Sequence, residues 1–176
     1  VIYDVLESPV ASDPPPIEIC VPNDANSIDI DLTQYDELIY LGPGNVRWFT
    51  DPSANLEILD PENYIANIPL QDVYARVTEN GCESNIVALV FTALPAPEAN
   101  PATLQACDDG SGTGTYDLTS IIDEINGNTG NNVRFFEEYD GFDLFSEIAD
   151  WEEYMTDLDL IYAIVDNGQC PSEIVE

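Results

Sequence analysis

The chain has 176 residues and a formal charge of −32, from 35 acidic residues against three basic ones, with no histidine. Repulsion on that scale excludes nucleic acid and anionic membrane surfaces as partners. A hydrophobic content of 44% with 10% aromatics is too high for a disordered acidic tail, so the chain is expected to build a core.

Residues 1–6 (VIYDVL) read as a strand from their β-branched and aromatic content. The run Pro14-Pro15-Pro16 behind them predicts a stiff polyproline spacer. Residues 17–20 follow as a strand, 21–26 as an acidic loop, and 27–32 (SIDIDL) alternate apolar and polar side chains with the period of a half-buried strand. Further strands are expected over 37–41, 46–50, 73–78 and 86–94, with turns at Gly42-Pro43-Gly44-Asn45 and Glu79-Asn80-Gly81. After a second proline-punctuated linker at 94–101, strands are expected at 103–107, 116–118, 133–137, 160–166 and 174–176, with helical turns over 120–125 and 144–154. No run of 18 apolar residues exists, so no membrane span is expected.

The second list of elements repeats the first. Val73-Tyr74-Ala75-Arg76-Val77, ending at Gly81-Cys82, recurs as Ile161-Tyr162-Ala163-Ile164-Val165, ending at Cys170. Cys20 matches Cys107, Asp31-Leu32-Thr33 matches Asp117-Leu118-Thr119, and Val46-Arg47-Trp48-Phe49 matches Val133-Arg134-Phe135-Phe136, at offsets of 86 to 88. Two tandem copies of one module account for this. Read in a circle, Glu176 followed by Val1 gives IVEVIYDVLESP, in register with IVALVFTALPAP of the first copy. Residues 1–13 are therefore expected to be the last strand and linker of a preceding or neighbouring module. Residues 14–95 form module 1, and 96–176 form module 2 without its final strand. Val1, Ile2, Tyr3, Val5 and Leu6 are the candidate strand-donating residues, since an open sheet edge accepts an added strand.

Seven or so short strands per module describe a two-sheet sandwich. The four cysteines fall one pair per module, Cys20 with Cys82 and Cys107 with Cys170, at separations of 62 and 63. Neither pair has the spacing or the histidines of a zinc site. Two intramodule disulfides are the economical account, each stabilising its module by about 4 kcal/mol in the chain-entropy model, and they imply an oxidising compartment. Four buried thiols are the rival account.

Cys107-Asp108-Asp109-Gly110 running into Tyr116-Asp117-Leu118-Thr119, then Val133–Phe136, Tyr-x-x-Asn/Asp elements at Tyr64–Asn67 and Tyr154–Asp157, and the V-Y-A-R-V strand ending at Gly-Cys resemble the repeats of very large secreted surface proteins of the Bacteroidetes, flavobacterial adhesins and gliding-motility proteins among them. The chain departs from that pattern at Cys20-Val21-Pro22-Asn23, where the acidic run is diluted, and at Ile164, where arginine is usual. The resemblance covers nearly the whole chain. It implies an all-β fold of two tandem Ig-like β-sandwich modules of about 88 residues, in an extracellular, cell-surface protein exported by the type IX route.

Calcium is the one cofactor to weigh, because it prefers clustered carboxylate and carbonyl oxygens at about 2.3–2.6 Å. Asp108, Asp109 and Asp117 in module 2 and Asn23, Asp24 and Asp29 in module 1 are the candidate ligands, against solvated acidic turns as the rival; the spacing of an EF-hand loop is missing. Without histidine there is no Ser-His or Cys-His dyad, and no enzyme is expected. Arg47 and Arg134 are expected to be local counter-charges stacked on aromatic rings, and Trp48 and Trp151 to pack inside their modules. The expected function is a structural repeat of an extracellular fibre, filament or adhesin stalk, whose partners are copies of itself or adjacent modules, head to tail. A carbohydrate- or protein-binding adhesin module is the alternative.

Overall fold

The computed structural model describes residues 5–107, 110, 112–141 and 143–176. The fold is predominantly β and divides into two compact units, Val1–Ile19 with Asp24–Ala93, and Cys20–Asn23 with Leu94–Glu176. Among the described residues no helix is long and apolar enough to cross a membrane.

The strands of the first unit are β2 (Ser27–Ile30), β3 (Asn45–Phe49), β4 (Tyr64–Asn67), β5 (Val73–Glu79) and β6 (Cys82–Leu89), while β1 (Ile17–Val21) and β7 (Phe91–Pro95) begin in the first unit and end among residues of the second. A three-stranded antiparallel sheet runs β3-β5-β6, and β2 pairs with β4. On β5, Val73, Ala75 and Val77 are buried while Tyr74 and Arg76 are half-buried, the period-2 pattern that turns one face to the core. Those three meet Trp48 of β3, Val87 and Leu89 of β6, and Ile30 and Ala66 of the facing pair in one apolar cluster. Burying side chains of this size contributes about 1.5–3 kcal/mol each. Asn80 (φ 49°) and Gly81 (φ 82°) carry the tight turn from β5 to β6, a left-handed conformation that Asn and Gly adopt at little cost. In the pairing of β1 with β7, the Ile17 amide donates to Val90 O, and the Ala96 amide donates to Val21 O. The two partners advance in the same direction.

The strands of the second unit are β8 (Gly114–Tyr116), β9 (Asn132–Tyr139), β10 (Leu144–Glu147), β11 (Tyr154–Thr156) and β12 (Tyr162–Asp166). They form an antiparallel sheet β10-β9-β12 and a pair β8-β11. The core gathers Leu118, Val133, Phe135, Tyr154, Ala163 and Val165.

The two units share local detail at repeat-matched positions. The Asp31 carboxylate accepts from the Thr33 amide at 2.9 Å, and Asp117 accepts from Thr119 at 3.0 Å. The Leu32 amide donates to Pro61 O, and Leu118 to Trp151 O. The Ile58 amide donates to Trp48 O at 2.8 Å, and Ile148 to Phe135 O at 2.9 Å.

Several expectations are corrected. Residues 37–41 are not a strand: a 3-10 turn (Leu32–Tyr35) leads into one α-helical turn, α1 (Asp36–Ile39). Asp31 caps this turn, and Leu32 and Ile39, seven residues apart, both become fully buried. The counterpart, Leu118–Ile121 with α2 (Ile122–Ile125), agrees with the helical turn expected over 120–125. The helical turn expected over 144–154 is absent: β10 is a strand, because the open edge of β9 needs partners for its backbone groups. The single strand expected at 86–94 is two, β6 and β7, interrupted at Val90. Residues 103–107 form no strand, since no described segment supplies them with the ladder that β7 supplies to β1.

The cysteine pairing also differs. Cys20 bonds to Cys170, with an S–S distance of 2.04 Å and Cα atoms 5.6 Å apart, while Cys82 and Cys107 are free thiols. The intramodule pairs Cys20–Cys82 and Cys107–Cys170 are not formed. The residues from Cys20 to Asn23 group with the second unit, which also carries Cys170.

Candidate functional site

The two units differ most where the last strands of the first unit lie. In the first unit Leu89 pairs across the ladder with Val73 and is fully buried. Phe91, two residues on, packs its ring edge-on against Tyr35, centroids 6.5 Å apart. The repeat counterparts of Val73 and Tyr35 are Ile161 and Ile121. Both line a groove of about 380 Å³ in the second unit, together with Leu104, Tyr116, Leu118 and Tyr154. The groove therefore lies over the counterparts of the two residues that Leu89 and Phe91 contact in the first unit. Next in sequence to the lining residue Glu176, Val175 exchanges two hydrogen bonds with Ala163, at 2.8 and 2.9 Å, as an isolated bridge.

Of the candidate donor residues, Val1, Ile2 and Tyr3 lie outside the described residues. Val5 is 89% exposed and Leu6 52% exposed. A few residues later Pro9 and Ala11 are buried, the Ala11 amide donates to Asn85 Oδ1 at 3.0 Å, the Asn85 side-chain amide donates back to Ala11 O at 3.1 Å, and the Ser12 amide donates to Ile39 O.

Of the candidate calcium ligands, Asn23, Asp24, Asp29 and Asp117 are among the described residues. Asp108 and Asp109 lie outside the described residues. Asp117 is engaged as a cap, the Asn23 side-chain amide donates to Glu98 at 3.5 Å, and Asp29 stands opposite Ile65 in the β2–β4 ladder, away from the loop that holds Asp24. Among the described residues no group of three or more Asp, Glu, Cys or His is arranged to hold a metal ion.

All three arginines are paired. Arg47 binds Glu57 and Arg134 binds Glu147, each by two hydrogen bonds of 2.6–2.8 Å, and Arg76 binds Glu83 at 2.7 Å. Each of the first two guanidinium groups also sits over a ring, Phe49 at 5.4 Å and Phe136 at 5.0 Å. These hydrogen bonds hold the Glu57 and Glu147 carboxyls below the usual carboxylate range. Trp48 is buried, its indole N–H donating to Asp36 at 3.0 Å. Trp151 is half-buried against Phe135, centroids 5.4 Å apart, and donates to Ile148 O. Neither tryptophan is presented to solvent as a stacking platform. The sequence gives no sign that Leu104, Tyr116 and Tyr154 line one groove, because they come from separate segments of the chain.

No protein-family model matches the chain, and no curated protein matches it.

Proposed function

We propose that the chain is a structural repeat of an extracellular fibre, filament or adhesin stalk. In this reading each unit is an Ig-like sandwich, and the units join head to tail as residues 1–6 of one copy enter the groove of the second unit of the copy before it. The groove carries the proposal. By sequence register Val1 and Tyr3 stand at the repeat positions of Leu89 and Phe91, so an incoming strand would bring apolar side chains to Ile161 and Ile121. Its backbone would meet the segment 103–107, as β7 meets β1. The same-direction pairing of β1 with β7 accords with the sandwich topology, and the exposure of Val5 and Leu6 accords with a segment whose partner is another molecule. The disulfide Cys20–Cys170 fits an oxidising, external setting.

The test is particle size and mass. Electron microscopy of the native chain should show filaments. Mass spectrometry of the denatured, reduced material should return a single 176-residue species; a far longer polypeptide would replace strand donation with a continuous array. Tyr3→Asp should abolish assembly while leaving each unit folded by circular dichroism. Filaments of unchanged length from that variant would remove strand donation from the account.

A second reading, an adhesin module for carbohydrate or protein, rests on an aromatic patch of the second unit. Tyr139 and Tyr162 meet edge-on with centroids 5.6 Å apart, and Tyr139 and Phe145 are exposed. Saccharide binding lost on Tyr139→Ala and Phe145→Ala would favour it.

A further inference from the structure

The bonded pair and the two free thiols occupy equivalent positions one repeat apart. Cys82 and Cys170 sit on the same hairpin. In one, the Val77 amide donates to Ser84 Oγ at 2.9 Å; in the other, the Val165 amide donates to Ser172 Oγ at 2.9 Å. Both serine hydroxyls donate onward to the next carbonyl, of Asn85 at 2.5 Å and of Glu173 at 2.6 Å. Asn80 (φ 49°) and its repeat counterpart Gly168 (φ 87°) both take the left-handed turn conformation. Cys20 and Cys107 stand at matched positions near the start of each repeat.

The disulfide that forms joins the first cysteine of one repeat, Cys20, to the hairpin cysteine of the next, Cys170. Shifted by one repeat, the same rule gives Cys107 a partner on the hairpin of the following repeat. It gives Cys82 a partner at the start of the preceding one. The exposed Cys107 and half-buried Cys82 are both free, and their two requirements are complementary.

We propose that Cys107 of one copy and Cys82 of the next form a disulfide, so that the row of copies becomes a covalent chain. The proposal rests on the head-to-tail reading above. Residues 3–7 correspond to β7, and β7 runs from the first unit into residues that pack with Cys170. A donated strand in the groove would likewise lead directly into the unit that carries Cys82. The bond forms by thiol–disulfide exchange. The two thiols give up two protons and two electrons and gain one S–S bond, while a disulfide oxidant, such as glutathione disulfide or a dithiol–disulfide oxidoreductase, is cleaved to two thiols.

The test exposes the full chain to glutathione disulfide and compares it on non-reducing and reducing gels. A ladder at multiples of the chain mass, collapsed by dithiothreitol, is expected. Mixed light and heavy isotope-labelled chains should yield a Cys82–Cys107 peptide with one light and one heavy half. Cys82→Ser and Cys107→Ser should each stay monomeric on the gel, while their mixture should give a dimer and nothing larger, which also shows that both variants fold. Cys107–Cys107 dimers, a Cys82–Cys107 peptide found only within one chain, or a ladder that survives either substitution would overturn the proposal. Filaments seen by electron microscopy with both thiols still free would overturn the cross-link and leave the fibre standing; neither filaments nor a ladder would overturn both.

Discussion

Arg47 of β3 holds Glu57, in the segment bridged to that strand at Phe49, through two hydrogen bonds, 2.8 and 2.6 Å long. Arg134 repeats the arrangement with Glu147 in the second unit, at 2.8 and 2.7 Å. In a chain with three basic residues against 35 acidic ones, placing two of the three at matched positions gives each unit one fixed, bidentate ion pair stacked on an aromatic ring.

The pair makes stability depend on pH. The hydrogen bonds from Arg47 lower the Glu57 carboxyl below its ordinary value of 4.5. Its contribution is present above that value and is lost as pH falls through the lower folded one. Arg47→Gln should lower the first unit's stability at pH 7 by a few tenths to about 1 kcal/mol, given the solvent exposure of the pair. Parent and variant should converge in acid, once the Glu57 carboxyl is protonated in the folded state as well. Denaturant titrations at pH 7 and in acid check this, and a gap independent of pH would count against the ion pair.

Asp36 works in the opposite direction. Burial beneath Trp48 raises its carboxyl above the ordinary 3.8, despite the indole hydrogen bond that lowers it. A raised acid favours the folded state at low pH and loses that advantage as pH rises through the folded value. Asp36→Asn keeps an oxygen for the Trp48 N–H. It should be neutral or stabilising at pH 7 and relatively destabilising near pH 3, as read from thermal midpoints across that range.

Ser84 and Ser172 should behave alike. Each hydroxyl accepts a hydrogen bond from a strand amide, Val77 and Val165 respectively, at 2.9 Å. Removing either should cost about 1–3 kcal/mol, the penalty for stranding a buried donor. Amide hydrogen exchange at Val77 in Ser84→Ala, and at Val165 in Ser172→Ala, should accelerate; unchanged protection at both would show that other groups take over the amide.

Reduction should destabilise the second unit. The Cys20–Cys170 bond closes a loop of 150 residues, and in the chain-entropy model a loop that long stabilises by up to about 5 kcal/mol. Dithiothreitol should lower the melting midpoint of the parent. It should leave that of Cys20→Ser unchanged, since the bond is already missing there.

Some of this was determined by the sequence alone. The alternation in 73–78 placed β5, because a period of two cannot be satisfied by any helix. The matched triplets at Asp31 and Asp117 marked equivalent positions of the repeat. The recurrence of Val-Arg-aromatic-Phe located both stacked arginines. Short-range patterns of this kind report on the residues that carry them.

Other outcomes were decided only by the tertiary structure. Residues 144–147 have apolar spacing compatible with a helix, yet they became β10 because the edge of β9 stood open. Residues 103–107 have strand composition, yet found no ladder. Cysteine pairing depended on which unit claims residues 20–23, and sequence separation carries no information about that choice: Cys20 lies 62 residues from Cys82 and 150 from Cys170. Loop-closure entropy grows only with the logarithm of loop length, so the nearer cysteine held too small an advantage to outweigh packing. Packing set the partner.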